Sequence, residues 1–192
     1  MKLFQLLFLS VLPLPVILLA LPAVATTGSG QKIDCVDTTE RIQSGSGKLM
    51  SCIPLAVVSF KTGKNVPVSC EKGAVFSLFD DGTLASCVLT SDRTFYTGKS
   101  KSVSCNRASP VSLFPNGNLK SCSPTSEQVL PTGAGPSRGC GPFREVSLFQ
   151  SGNLASCWLS RDETVQTESK TVKCQKGQSI TLSDKGQMVA CK

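Results

Sequence analysis

The sequence contains no histidine, a single tyrosine and a single tryptophan, and only 17% of its 192 residues are charged. Without histidine, neither a Ser-His-Asp nor a Cys-His catalytic pair can be assembled, and no His-ligated metal site can form. The shortage of Tyr and Trp argues against a surface that stacks nucleic-acid bases. A hydrophobic content of 40% excludes a disordered tail. Basic residues outnumber acidic ones by 20 to 13, but they are scattered, with Lys99 and Lys101 the nearest approach to a cluster. Scattered charge describes a solvated surface, and at most a weak attraction to anionic glycans or head groups, rather than a specific nucleic-acid interface.

What is present begins with an export signal. Met1-Lys2 gives a positive start, Leu3 to Leu21 is almost wholly apolar, and Ala23-Val24-Ala25 is the small-x-small pattern read by a signal peptidase. A signal peptide over 1–25 is expected, followed by a short lead over 26–34 and one β-repeat domain over 35–192. The competing reading is a retained N-terminal anchor, since the apolar run approaches a membrane span. After cleavage no transmembrane span would remain, and the net charge would fall from +7 to +6 with the loss of Lys2. Secretion or a periplasmic location follows as the expectation, in an oxidising compartment.

The ten cysteines, Cys35, Cys52, Cys70, Cys87, Cys105, Cys122, Cys140, Cys157, Cys174 and Cys191, are spaced alternately by 17 and 18 residues, closing with three steps of 17. They define five repeats with a period of 35 residues, shortened by one in the last. The second unit reads Cys70-EKGAVFSLFDDGTLAS-Cys87, and the third Cys105-NRASPVSLFPNGNLKS-Cys122. The fourth reads Cys140-GPFREVSLFQSGNLAS-Cys157, and the first and last units are degenerate, as terminal copies of an array are.

Each unit carries a turn glycine (Gly47, Gly82, Gly117, Gly152, Gly186) between apolar runs, a strong hairpin signal. Phe76–Phe79 and Thr83–Leu89 are expected as the strands of one hairpin, with Phe76, Leu78, Leu84 and Val88 on one face. Val75, Ala85, Cys87 and Leu89 would then lie on the other face. The linkers, with Thr62-Gly63-Lys64 and Thr97-Gly98-Lys99, suggest two further short strands per unit. The segment from Ser123 to Gly139, richer in Pro and Gly, is expected to be looser.

No 3.6-residue periodicity occurs beyond the signal, so the expected fold is all-β: an antiparallel hairpin repeat array or β-solenoid, with a compact barrel as the alternative. Disulfides would brace its thin core. Pairing within units uses every cysteine, but ladders between equivalent cysteines of neighbouring repeats also remain open.

The close CxxC pairs of structural zinc sites are absent. The turn acids Asp80, Asp81, Asp92 and Asp184 lack the spacing of a calcium loop and read as ordinary turn residues. No carboxylate pair breaks the repeat as a glycosidase site would. No catalytic residue, metal ligand or cofactor is therefore expected. Trp158, at the position of Val88 and Ser123, reads as core or rim packing. Arg144, Arg161, Lys99 and Lys101 read as surface residues.

The segment SLFPNGNLKSC resembles the aromatic-x-Asn-Gly-x-Leu-Lys hairpins of MORN-like repeat proteins, including the YwqK-type antitoxin-like family of bacteria. The resemblance covers the turn-and-flank core of about four units and implies antiparallel β-hairpin repeats. The functional expectation is a non-enzymatic binding or envelope-structural module whose partner is a macromolecule, either a protein or an anionic glycan or envelope surface. The alternative is a secreted inhibitor or immunity-type protein acting through the Thr125–Arg138 segment.

Overall fold

The computed structural model describes residues 23–36, 42–133, 135–166 and 171–192. Every regular element among them is a β-strand. Residues 1–22, the bulk of the expected signal, lie outside the described residues.

Two kinds of antiparallel pair alternate along the chain, a ribbon and then a sheet hairpin. The first ribbon is β1 (Ala23–Thr26) with β2 (Lys32–Cys35), and the first hairpin β3 (Ile42–Gln43) with β4 (Leu49–Cys52). The second unit pairs β5 (Val58–Lys61) with β6 (Pro67–Cys70), then β7 (Phe76–Leu78) with β8 (Leu84–Val88). The third pairs β9 (Arg93–Tyr96) with β10 (Ser102–Cys105), then β11 (Pro110–Leu113) with β12 (Leu119–Cys122). The fourth pairs β13 (Gln128–Leu130) with β14 (Arg138–Cys140), then β15 (Val146–Leu148) with β16 (Leu154–Trp158). The fifth pairs β17 (Glu163–Gln166) with β18 (Thr171–Cys174), then β19 (Ser179–Leu182) with β20 (Met188–Cys191).

The five hairpins merge into one open ten-stranded meander, β20-β19-β16-β15-β12-β11-β8-β7-β4-β3, while the five ribbons stay separate two-stranded sheets. No barrel closes, and the fold is the hairpin repeat array. The stretch expected as a lead, 26–34, belongs to the first ribbon. Cleavage after Ala25 would remove β1 except for Thr26.

The expected sorting of side chains between the hairpin faces needs correction. Leu78 does face Leu84, but Ser77 pairs with Ser86, so Ala85 is an extra residue and the strand is bulged there. The turn creates the bulge: Gly82 donates its N–H to the Phe79 carbonyl and Phe79 donates to Thr83, both at 2.8 Å. Gly82 takes φ +81°, open to a residue without Cβ. The extra residue reverses the alternation, so Cys87 and Leu89 are buried with Phe76, Leu78 and Leu84. Val75 is exposed and Val88 half-buried. The same shift recurs at Ser112/Leu113, Ser147/Leu148 and Thr181/Leu182.

The disulfides follow the within-unit scheme: Cys35–Cys52, Cys70–Cys87, Cys105–Cys122, Cys140–Cys157 and Cys174–Cys191. Each ties the end of a ribbon to the second strand of the hairpin that follows. The chain folds back between them through a tight corner. At that corner Gly73, Ala108, Phe143 and Gly177 adopt positive φ. They donate their N–H groups to the carbonyls of Pro54, Leu89, Pro124 and Leu159 in the preceding unit at 2.8–2.9 Å.

The core lies between ribbons and sheet. Ala25, Phe60, Phe95, Leu130 and Val165 occupy one repeat-equivalent row from the ribbons, and Leu49, Leu84, Leu119 and Leu154 a row from the sheet, all buried. Phe60 meets Phe76 across the gap with ring centroids 4.5 Å apart.

Candidate functional site

Ribbon and sheet meet a second time at the ribbon tips, one unit further along. The threonines that open the tips, Thr27, Thr62, Thr97 and Thr132, are buried, and the glycine following each lies against a hairpin turn. A Cβ on Gly63 would overlap the Pro115 carbonyl, and one on Gly117 would stand 2.7 Å from the Lys64 nitrogen. Gly28 and Gly82 approach one another in the same way in the preceding unit. Each ribbon is thus bonded to its own hairpin by a disulfide, and the first four are keyed onto the next hairpin at their tips. Sequence reasoning saw the Thr-Gly-Lys turns but not their docking, which joins positions some fifty residues apart.

The outward face of the sheet carries a continuous ladder. Ser51 pairs with Ser77, Ser77 with Ser86, Ser86 with Ser112, and Ser112 with Ser121. Ser121 then pairs with Ser147, Ser147 with Ser156, and Ser156 with Thr181. Within it Ser77 and Ser86 share a hydroxyl hydrogen bond of 2.6 Å, and Ser51 donates to the Phe76 carbonyl at 2.7 Å. The alternation that faces Ser77 outward does the same for Phe79, and likewise for Phe114 and Phe149, all half-buried. Successive phenylalanines are two strands apart, about 9.6 Å at ordinary strand spacing. Lys120 is the one charged residue in the ten strands of this sheet.

The individual residues singled out in the sequence are spread over this framework. Arg144 stacks its guanidinium 4.4 Å from the centroid of the Trp158 ring, which is half-buried at the rim of the sheet. Lys99 donates to Asn153 Oδ1 at 2.8 Å, and the Lys101 carbonyl accepts the N–H of Thr97 at 3.0 Å. The turn acids lie apart: Asp92 accepts the Arg107 N–H at 2.7 Å, and Asp184 accepts from Ser151 and Asn153. Asp81 accepts the Thr83 hydroxyl and N–H at 2.7 and 2.8 Å, and these bonds hold its carboxyl below the ordinary value. No group of three or more His, Cys, Asp or Glu side chains able to hold a metal ion occurs among the described residues.

The Ser123–Gly139 segment is not loose. Gln128–Leu130 and Arg138–Cys140 pair as the fourth ribbon, so the stretch considered as an inhibitory loop is built like its four counterparts. Sequence reading also missed Arg138. It stands where Ile33, Val68 and Val103 fill the other ribbons, and its side chain is only 7% exposed. Arg138 Nη1 contacts Glu163 Oε2 at 2.8 Å, and Arg161 Nε contacts Glu163 Oε1 at 3.0 Å. Burial pushes the Glu163 carboxyl up, but the bonds from Arg161 and Arg138 and their charges outweigh it, leaving the group below its ordinary value.

The described residues include no helix long and apolar enough to cross a membrane. Five disulfides indicate an oxidising, extracellular or periplasmic environment. No family model, curated protein or solved structure matches the chain.

Proposed function

We propose that this chain is an exported, non-enzymatic repeat scaffold that holds a neutral, extended polysaccharide against its ten-stranded face. The observation that carries this is the uncharged hydroxyl ladder flanked by a periodic row of phenylalanines. Hydroxyls exchange hydrogen bonds with sugar hydroxyls, and phenyl rings cover the apolar C–H faces of sugar rings. The two-strand period of about 9.6 Å is of the same order as the repeat of an extended β-linked disaccharide. The sequence left a protein or an anionic glycan or envelope surface open as partner, but with Lys120 alone on the sheet strands the basic residues lie elsewhere, and a neutral polymer suits this face better. A cleaved signal peptide over 1–25 would deliver the chain to the compartment its disulfides require.

The test is co-sedimentation of the purified exported protein with insoluble cellulose and chitin, alongside a uronate polymer as the anionic control. Retention by a neutral polymer is expected, weakened roughly tenfold by Ser86→Lys with Ser121→Lys at unchanged thermal stability. Failure to bind either neutral polymer, or binding indifferent to charges placed in the ladder, overturns the proposal.

A further inference from the structure

The tips of neighbouring ribbons are bridged differently along the array. Between the second and third ribbons, Lys64 lies over the Tyr96 ring at 4.7 Å from its centroid. At the next tip, Lys99 reaches Asn153 Oδ1 at 2.8 Å. The repeat-equivalents of Lys64 and Tyr96 one unit earlier are Ser29 and Lys61. Ser29 is too short to reach across and Lys61 brings no ring, so the bridge is missing there. A cleft of about 680 Å³ opens at this place, lined by the Ser29–Gln31 tip, Ser59–Lys61, Asn65, Pro67 and the Asp81–Thr83 turn. That volume lies within the ordinary range for small-molecule sites, about 300–1,000 Å³.

The lining is also unusual in its composition. Gln31 takes the place that Val66 holds one unit later, so an amide replaces an exposed aliphatic side chain. Gln31 and Asn65 offer both donors and acceptors, Lys61 donates, and Ser29 and Thr83 supply hydroxyls. The two charged side chains, Lys61 and Asp81, make no ion pair with each other, and Asp81 is oriented by its two bonds to Thr83. Pro67 supplies an exposed apolar ring, while Phe60 is turned into the core against Phe76. The floor is rigid, because Gly82 and Ser29 are in backbone contact beneath it.

We infer that this cleft is a saccharide-binding site for one or two sugar units, separate from the sheet face, at a gap where neither the Lys64–Tyr96 contact nor the Lys99–Asn153 bond has a counterpart. Planar amides and a carboxylate suit vicinal hydroxyl pairs, the exposed Pro67 ring suits the C–H face of a pyranose, and the offsetting charges of Lys61 and Asp81 favour a ligand of no net charge. Ser29–Gln31 lie beyond the expected cleavage site: the processed chain loses Ala23–Ala25 but keeps the tip, which is closed by the Thr27 N–H to the Gln31 carbonyl at 2.9 Å and seated against Gly82.

The experiment titrates the exported protein with cellotetraose and chitotetraose, following backbone amide NMR shifts and calorimetric heats. Saturable shifts at Gln31, Lys61, Asn65 and Thr83 are expected with at least one of the two. Ser29→Lys with Lys61→Tyr rebuilds the bridge of the next gap and should weaken binding at least tenfold. Gln31→Val, which copies the next unit at one exposed position, should weaken it less and guards against a folding defect in the double variant. Absence of shifts at these amides with both sugars at millimolar concentration, or undiminished binding by both variants, overturns the inference. Polymer sedimentation by the double variant should be unchanged, which separates this site from the sheet face.

Discussion

The ten sheet strands and the ten ribbon strands have similar lengths and come from the same repeat, yet they are held by different means. Sheet strands hydrogen-bond to neighbours on both sides across unit boundaries, except at the two edges. Ribbon strands bond only within their own pair, and depend on a disulfide at the base and backbone packing at the tip. Their compositions diverge accordingly: one charge in the sheet strands, against Lys32, Asp34, Lys61, Arg93, Arg138, Glu163 and Lys173 in the ribbons. The sheet supplies strand-to-strand continuity, while the ribbons are separate two-stranded pairs in which the repeat tolerates change. Variation that distinguishes one unit from another accumulates there, including the buried Arg138 and the unbridged cleft.

The sharpest way to break this contrast is to remove one disulfide. Cys105→Ala with Cys122→Ala should cost about 3–4 kcal/mol in denaturant unfolding. Hydrogen exchange should accelerate first in the third ribbon, Arg93–Tyr96 and Ser102–Cys105, while the central sheet strands keep their protection. Equal loss of protection in sheet and ribbon would show that the two are one cooperative unit.

A smaller effect is expected from the ion pair that one ribbon carries in place of aliphatic packing. Glu163→Leu leaves the Arg138 guanidinium buried opposite no carboxylate and should cost about 3 kcal/mol near neutral pH. Because the folded Glu163 carboxyl lies below its ordinary 4.5, its contribution is fully present above about pH 4.5. It is lost as the pH falls through the lower folded value. The difference between wild type and variant should therefore narrow in acid, which urea unfolding at stepped pH would measure.

The tip contact gives the least expected change. Gly63→Ala drives a methyl group into the Pro115 carbonyl and should cost about 2 kcal/mol. Gly45→Ala is the control: like Gly63, Gly45 has no positive φ, but it has open space around it, so an added methyl group meets nothing. Equal costs in thermal unfolding would argue that tip docking contributes nothing.

Much of this architecture is legible in the residues. The cysteine period marks the units, and Asp81-Gly82 and Asn116-Gly117 mark the turns. The Val103–Cys105 run marks a ribbon strand. Face assignment failed at Ala85 because a three-residue turn with glycine at positive φ inserts a bulge, and counting alternation from Leu84 cannot register an added residue. The fourth linker was misjudged because Pro131, Gly133 and Pro136 suggest irregularity, whereas Thr132 still accommodates the standard tip, donating to the Pro136 carbonyl at 3.2 Å. The candidate surfaces were the least legible. The serine ladder depends on register between strands, and the cleft on the absence of a contact that only its neighbouring units reveal.

All five cystine links close loops of identical sequence separation, 17 residues, and none encloses or crosses another. As the polypeptide threads into an oxidising compartment, each pair is complete before the first thiol of the next pair emerges. Wherever oxidation keeps pace with emergence, order of arrival favours the native connectivity among the many that ten thiols allow. A chain built this way has little need of an isomerase to correct its bonds, and shuffling is a hazard only for protein that is reduced and reoxidised at full length.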